Sequence, residues 1–210
     1  MTDENHRVEI KLTQHNRDYW INKPYVDEKV KDELLKADIL LVPSEGYKNT
    51  SDPVFPVNTE GFLRFVREHL PKDSLSVDIA ISNDQYKELA LHSGVLITIA
   101  TAIATVGLAP LVVNIVTEYI KPRFNSGHKK TTIRFKLIEE NQTTKQNRMI
   151  SYEGPPETFE SMMKEALRST ESTTVTQTTQ PNNNKVLAIE KPPPKQLPPP
   201  KKTSKKRATK

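Results

Sequence analysis

The residues able to do acid–base or metal chemistry are few and scattered along this chain. Histidines stand at positions 6, 15, 69, 92 and 128. None of them forms the i, i+4 helical pair that lets two imidazoles grip one metal ion, so none is read as a ligand, and His69, near a helix end, reads as a cap or surface residue. Cysteine is absent, which removes thiol nucleophiles, cysteine zinc sites and disulfides together. Ser44 follows a compact apolar stretch in Pro43-Ser44-Glu45-Gly46, the place where open α/β sheets carry ligand loops. It lacks the Gly-x-Ser-x-Gly elbow that presents a nucleophile, and a turn with Ser44 bonded to backbone is the simpler expectation.

Asp38, Asp78 and Asp84 would form a carboxylate cluster only if their elements adjoin, and Asp78 alternates with apolar neighbours as a solvent-facing strand residue does. Glu118 closes an apolar run and reads as an end residue rather than a proton carrier. The six glycines are too dispersed to bring successive backbone donors onto a phosphate. No catalytic, cofactor-binding or metal-ligating residue is therefore assigned, and the expectation is a protein that is not an enzyme. The surviving enzyme alternative needs a pocket near Ser44–Tyr47 and the end of a strand at 75–81, tested by alanine at Ser44, Glu45 and Asp78.

The elements that would position these residues follow from periodicity. Residues 7–13 alternate apolar and polar as a half-buried strand does. Residues 27–36 carry Val30, Leu34 and Leu35 at helical spacing. Residues 37–43 are a short apolar run ended by Pro43 and Gly46, a buried strand. Residues 48–56 read as loop. Thr59 is the expected N-cap of a helix that ends before Pro71. A strand over 75–81 precedes a helix capped by Asn83 or Asp84. Residues 131–139 and 148–153 form a hairpin around a polar turn, and Gly154-Pro155-Pro156-Glu157 opens a helix with Phe159, Met162, Met163, Ala166 and Leu167 on one face. This order defines an α+β or α/β fold, a small sheet covered by helices. The chain divides into an N-terminal strand and helix (1–36), a body (37–168) and a tail (169–210).

The decisive stretch is Ser93–Thr117, twenty-five residues without a charge. As one helix it would extend about 37 Å, more than the apolar thickness of a bilayer at about 30 Å. Lys121, Arg123, Lys129 and Lys130 follow it, Tyr119 stands at an interfacial position, and Ala100/Ala104 and Thr101/Thr105 offer small-residue faces. That reading makes the protein membrane-associated with a cytoplasmic C-terminus. The rival takes Gly107 and Pro110 as divisions between two buried helices, Val95–Val106 and Leu111–Ile120, in a cytoplasmic protein.

The succession of a strand at Leu75–Ile81, apolar helices beginning at Gly94 and ending in Lys121-Pro122-Arg123, a strand at Ile133–Leu137, a strand into Gly154 and a closing amphipathic helix resembles small effector-associated α/β components of bacterial immune and conflict systems. The resemblance covers residues 37–168 and rests on order and hydropathy. It implies a non-enzymatic adaptor or regulator whose effector is a separate chain. The N-terminal thirty residues and the long tail depart from that compact pattern.

The net charge is +5, yet residues 171–210 hold nine lysines and arginines against two glutamates. The tail thus carries +7 and the remainder −2. Its Thr/Gln/Asn-rich and proline-rich composition cannot bury enough apolar surface to fold, so disorder is expected. Lys191, Lys195, Lys201, Lys202, Lys205, Lys206, Arg207 and Lys210 are the candidate interaction residues, toward an acidic membrane surface or a protein partner. Nucleic acid is the disfavoured partner, since no aromatic residue follows Phe159 to stack on bases.

Overall fold

A computed structural model of the chain describes residues 6–46, 52–71, 74–90, 96–124, 131–169 and 174–177. In chain order the elements are β1 (His6–Thr13), α1 (Arg17–Ile21), α2 (Glu28–Lys36), β2 (Ile39–Val42), β3 (Phe55–Pro56), α3 (Thr59–His69), β4 (Val77–Ile79), β5 (Glu88–Leu89), β6 (Leu96–Thr98), β7 (Thr101–Thr105), α4 (Ala109–Phe124), β8 (Thr132–Glu140), β9 (Asn147–Gly154), α5 (Pro156–Arg168) and β10 (Thr174–Gln177). The main sheet runs β10-β1-β9-β8-β7-β2-β4, with β6 joined to β8 beside β7, and β3 with β5 forms a separate parallel pair. The class is mixed α+β. Parallel neighbours need a crossover: α3 lies in the connection from β2 to β4, and α4 connects β7 to β8.

Alternation along the strands sorts two cores. Ile39 and Leu41 of β2 join Ala102, Ala104, Ile133, Phe135, Leu137, Ile150 and Tyr152 on the face covered by α3, α4 and α5. Leu40 and Val42 join Ile103 and Ile138 on the opposite face, under Trp20, Ile21, Val26 and Leu34 of the α1–α2 segment. Because β2 is buried on both faces, it reads as a continuous apolar run rather than an alternating one.

The uncharged stretch resolves into neither of its two expected forms. Its first half is strand, β6 and β7, and only its second half is helix, α4. Six of the ten residues 96–105 are β-branched, which favours an extended backbone over a helix. Pro110 lies at the start of α4, where its missing N–H costs nothing. The helix α4 buries Val112, Val113, Ile115, Val116, Tyr119 and Ile120 and exposes Pro110, Asn114, Glu118 and Lys121 along one stripe. Each Val or Ile lowers helix propensity by up to about 0.7 kcal/mol, whereas burying it stabilises by about 1.5–3 kcal/mol. Packing therefore decides the element, and it is a core helix. The transmembrane expectation is corrected accordingly: among the described residues no helix is long and apolar enough to cross a membrane.

Smaller corrections have local causes. Thr59 is inside α3, not its cap; its hydroxyl donates to the Pro56 carbonyl at 2.6 Å. Asn58 precedes the helix at φ 70° without a side-chain cap bond. The Glu88 carboxylate does the capping instead, accepting from the N–H groups of Asn58 and Glu60, each at 2.9 Å. The helix expected after Asn83 is a single 3-10 turn over Asn83–Gln85 followed by β5, because the chain there extends to pair with β3 and deliver Glu88. The strand at 75–81 is regular only over Val77–Ile79. The basic candidates from Lys191 to Lys210 lie outside the described residues.

Candidate functional site

Three features of the fold converge at the C-terminal end of β2. The first is the loop itself. Ser44 pairs with Val54, donating N–H to the Val54 carbonyl at 2.8 Å, and Gly46 takes φ +69°, a left-handed conformation that glycine adopts without cost. Between them the Glu45 carboxylate turns toward the α1–α2 segment. It accepts hydroxyl protons from Tyr19 and Tyr25, each at 3.1 Å, and ion-pairs with Lys23 Nζ at 2.9 Å. Lys23 in turn lies 3.9 Å over the Tyr19 ring, and His15 stacks on that ring at 4.1 Å. Partial burial opposes the charge on Glu45, but the bonds from Lys23, Tyr25 and Tyr19 outweigh it and hold the carboxyl below its ordinary range. Burial and the Glu45 charge together push the Tyr25 phenol far up.

The second feature is a β-bulge. Thr98 is opposite Arg134 and Ala102 opposite Leu137, so Ile99, Ala100 and Thr101 face only Phe135 and Lys136. One extra residue reverses the alternation. Ile99 and Ala100 both enter the core under α3–α5, and Thr101, paired with Val42, falls on the same face as Thr98. Bulges of this kind re-aim side chains beside functional sites.

The third feature is the part of that face that no described element covers. The α1–α2 segment covers β2, β7 and the adjacent end of β8, leaving β8, β9 and β1 with cross-strand rows Arg134–Glu153–Arg7 and Lys136–Ser151–Glu9. Arg134 grips Glu153 through Nε and Nη2 at 2.9 and 2.7 Å. Lys11 bonds Glu9 at 2.7 Å, which, with added attraction from Arg7 and Lys136, holds Glu9 below its ordinary pKa. Lys136 is exposed and makes no ion pair of its own among the described residues.

Together they enclose a cavity of about 270 Å³ lined by Ser44, Glu45, Gly46, Thr98, Ile99, Thr101, Arg134, Phe135 and Lys136. Its lining carries the cations Arg134 and Lys136, and its carboxylate, Glu45, is engaged by Lys23, Tyr19 and Tyr25. Two other hollows border internally engaged groups: the cavity beside α3 borders amides that Glu88 already holds, and in the cavity near Arg17 that arginine bonds Glu140 and the end of α2. A further hollow of about 500 Å³ lies between α4 and α5, lined by Thr117, Lys121, Pro122, Pro156, Glu157 and Glu160.

The expected carboxylate cluster does not assemble. Asp38 accepts from Ser76 N–H at 2.7 Å, Asp78 lies 3.7 Å from Arg67, and Asp84 bonds the Gln85 amide. Among the described residues no group of three or more His, Asp or Glu side chains could hold a metal ion. His69 stacks on Phe65 at 3.7 Å and His6 is buried at the start of β1. Ser44 exchanges backbone bonds with Val54, and among the described residues no base bonds its hydroxyl. The sequence reading singled out the Ser44 loop but missed Thr98, Thr101, Arg134 and Lys136. The last two were readable, since they alternate with Ile133, Phe135 and Leu137.

No protein-family model, curated protein or solved structure matches this chain.

Proposed function

We propose that the chain is a non-enzymatic adaptor or regulatory protein that acts with a separate effector chain. The observation that carries this reading is the asymmetry of the sheet. One face lies under α3, α4 and α5, whereas the other is covered by α1 and α2 over only part of its width. The remainder is a three-strand surface of paired charges, polar enough to remain in water and broad enough to receive a protein. Its ionic side chains are engaged with one another rather than gathered about a reaction centre.

The test is cross-linking mass spectrometry on the chain co-purified with the product of a neighbouring gene. Cross-links from Lys11 and Lys136 to the partner are expected. The reading fails if the complex cross-links everywhere except β1, β8 and β9. It fails equally if alanine at Ser44, Glu45 and Asp78 removes a chemical activity while complex formation persists.

A further inference from the structure

We propose that the cavity between the first turn of α3 and the last two turns of α4 binds a small apolar carboxylic acid as its anion, with the Tyr119 hydroxyl and the Arg123 guanidinium on the carboxylate. The inference goes beyond the adaptor reading and does not depend on it.

The unmet donor is Tyr119. The residue is 7% exposed, and edge contacts with Phe62 and Phe65 at 4.9 and 5.3 Å fix its ring. Its hydroxyl bonds no other group among the described residues, although buried phenols ordinarily find a partner. It is not sealed in the core, since Trp20 Nε1 is the one described side-chain atom left both fully buried and unbonded. The opening it meets is the cavity of about 270 Å³ that Tyr119 lines. Burial pushes the phenol up, so it stays a proton donor at neutral pH and calls for an acceptor.

Charge sets the sign of that acceptor. Arg123 lines the same cavity, lies 3.9 Å over the Tyr119 ring and gives one N–H to the Tyr119 carbonyl at 3.0 Å. A guanidinium has five N–H groups, and among the described residues this one pairs with no carboxylate. The Glu88 carboxylate is spent on Tyr86 and on the amides of Asn58 and Glu60, and it acts on the Tyr119 hydroxyl less than Arg123 does. The local field therefore favours an anion, and one carboxylate can accept charge-assisted bonds from both donors.

Walls and size set the rest. Val57, Phe62, Ile97 and Ile99 supply apolar lining, so the guest needs hydrocarbon behind its carboxylate. The volume is just below the range of about 300–1,000 Å³ in which drug-sized ligands and cofactors are bound, which suits a short chain or a single ring and not a nucleotide. Gly61 keeps the space clear. It lies inside α3, where glycine is the poorest helix former after proline, yet a Cβ there would meet no atom within 4 Å. No packing contact demands glycine at this position, and a longer side chain has the cavity to enter.

The test is NMR titration of the full chain with hexanoate, with acetate and hexanamide as controls, repeated for Y119F, R123Q and G61L. Hexanoate is expected to give saturable shifts at the amides of Gly61, Ile99 and Arg123. Acetate lacks the stem and hexanamide the charge, and each should bind roughly tenfold more weakly. Y119F keeps the packed ring, and R123Q alters an exposed residue; each is expected to weaken hexanoate roughly tenfold. G61L should weaken it as well while unfolding at no lower a urea concentration than the unaltered chain. Hexanoate shifts that do not saturate, either control binding as tightly as hexanoate, or any of the three variants binding like the unaltered chain would each overturn the proposal. The tripeptide Ala-Ala-Leu with a free C-terminus binding more tightly than hexanoate would overturn it too, by giving the cavity to a peptide end. Complex formation with an effector decides the adaptor reading alone and leaves this one untouched.

Discussion

Glu139 and Glu140 are consecutive in β8, project from opposite faces of the sheet, and each holds an arginine that closes the C-terminal end of a helix. Glu139, buried at 3% exposure, pairs with Arg148, which donates to the carbonyls of Leu167 and Ser169 at the end of α5. Glu140 accepts from the N–H and side chain of Arg17, which donates to the carbonyls of Leu34 and Ala37 at the end of α2. Helix C-termini leave carbonyls without intrahelical partners and favour cations. One dipeptide thus fastens both helical layers to the same strand.

Removing one member of a buried ion pair costs about 3–5 kcal/mol, because the other is left uncompensated. Glu139→Gln is expected to fall in that range, and Glu140→Gln somewhat below it. Urea unfolding gives the sum. Hydrogen exchange separates the two, with faster exchange at the end of α5 for Glu139→Gln and at the end of α2 for Glu140→Gln. Identical exchange patterns would refute the division of labour.

Glu88 makes stability depend on acid. Burial raises its pKa, but bonds from Tyr86 and from the N–H groups at the start of α3 more than reverse this, so the folded value is below 4.5. A carboxyl with a depressed folded pKa contributes stability above its unfolded pKa and loses it as pH falls through the folded one. Glu88→Gln should cost about 1 kcal/mol at neutral pH, the usual worth of a helix cap. The difference between the two proteins should shrink below pH 4.5 and vanish in stronger acid. A pH-independent difference in urea midpoints would count against this role.

Gly154 cannot carry a side chain. A Cβ there would be 2.7 Å from the His6 Cβ and 2.7 Å from the Tyr152 hydroxyl, and that hydroxyl is fixed by Pro155 O and Thr158 Oγ1. Gly154→Ala is expected to destabilise by about 1–3 kcal/mol, as overpacking does, and to shift the β1–β9 pairing. A melting temperature equal to that of the unaltered chain would show that the strands part without cost.

The bulge is tested by Ala100→Leu. Ala100 is 1% exposed in the core under α3–α5, and added methylenes there are expected to cost about 1–3 kcal/mol. The accompanying NMR shifts should reach Thr98 and Thr101 on the opposite face. Changes restricted to the core side would contradict the coupling of the two faces through the extra residue.

Much of this architecture was legible because period and burial agree. Residues 7–13, 131–139 and 148–153 alternate, and 156–168 repeats at helical spacing, each because one face of the element meets the core. The stretch from 93 to 120 misleads for a physical reason. Strand β7 has core on both sides and α4 is enclosed on most of its circumference, so charge is absent just as it would be in lipid. The β-branched residues of 96–105 were the signal that separated strand from helix. Strands β5 and β10 are two and four residues long and exist only through their partners. At the site, Ser44 was visible from its place after an apolar run. The bulge was not, since a one-residue offset appears only when 98 is set against 134 and 102 against 137.

The first strand of the chain finds its neighbours last. Residues 7–13 pair with 147–153, so β1 must wait until nearly the whole domain has left the ribosome. At about 5–20 residues per second that delay lasts on the order of ten seconds. Throughout it Val8 and Ile10, buried in the finished sheet, are uncovered, and nascent chains emerging from adjacent ribosomes can pair along the strand before their own β9 exists.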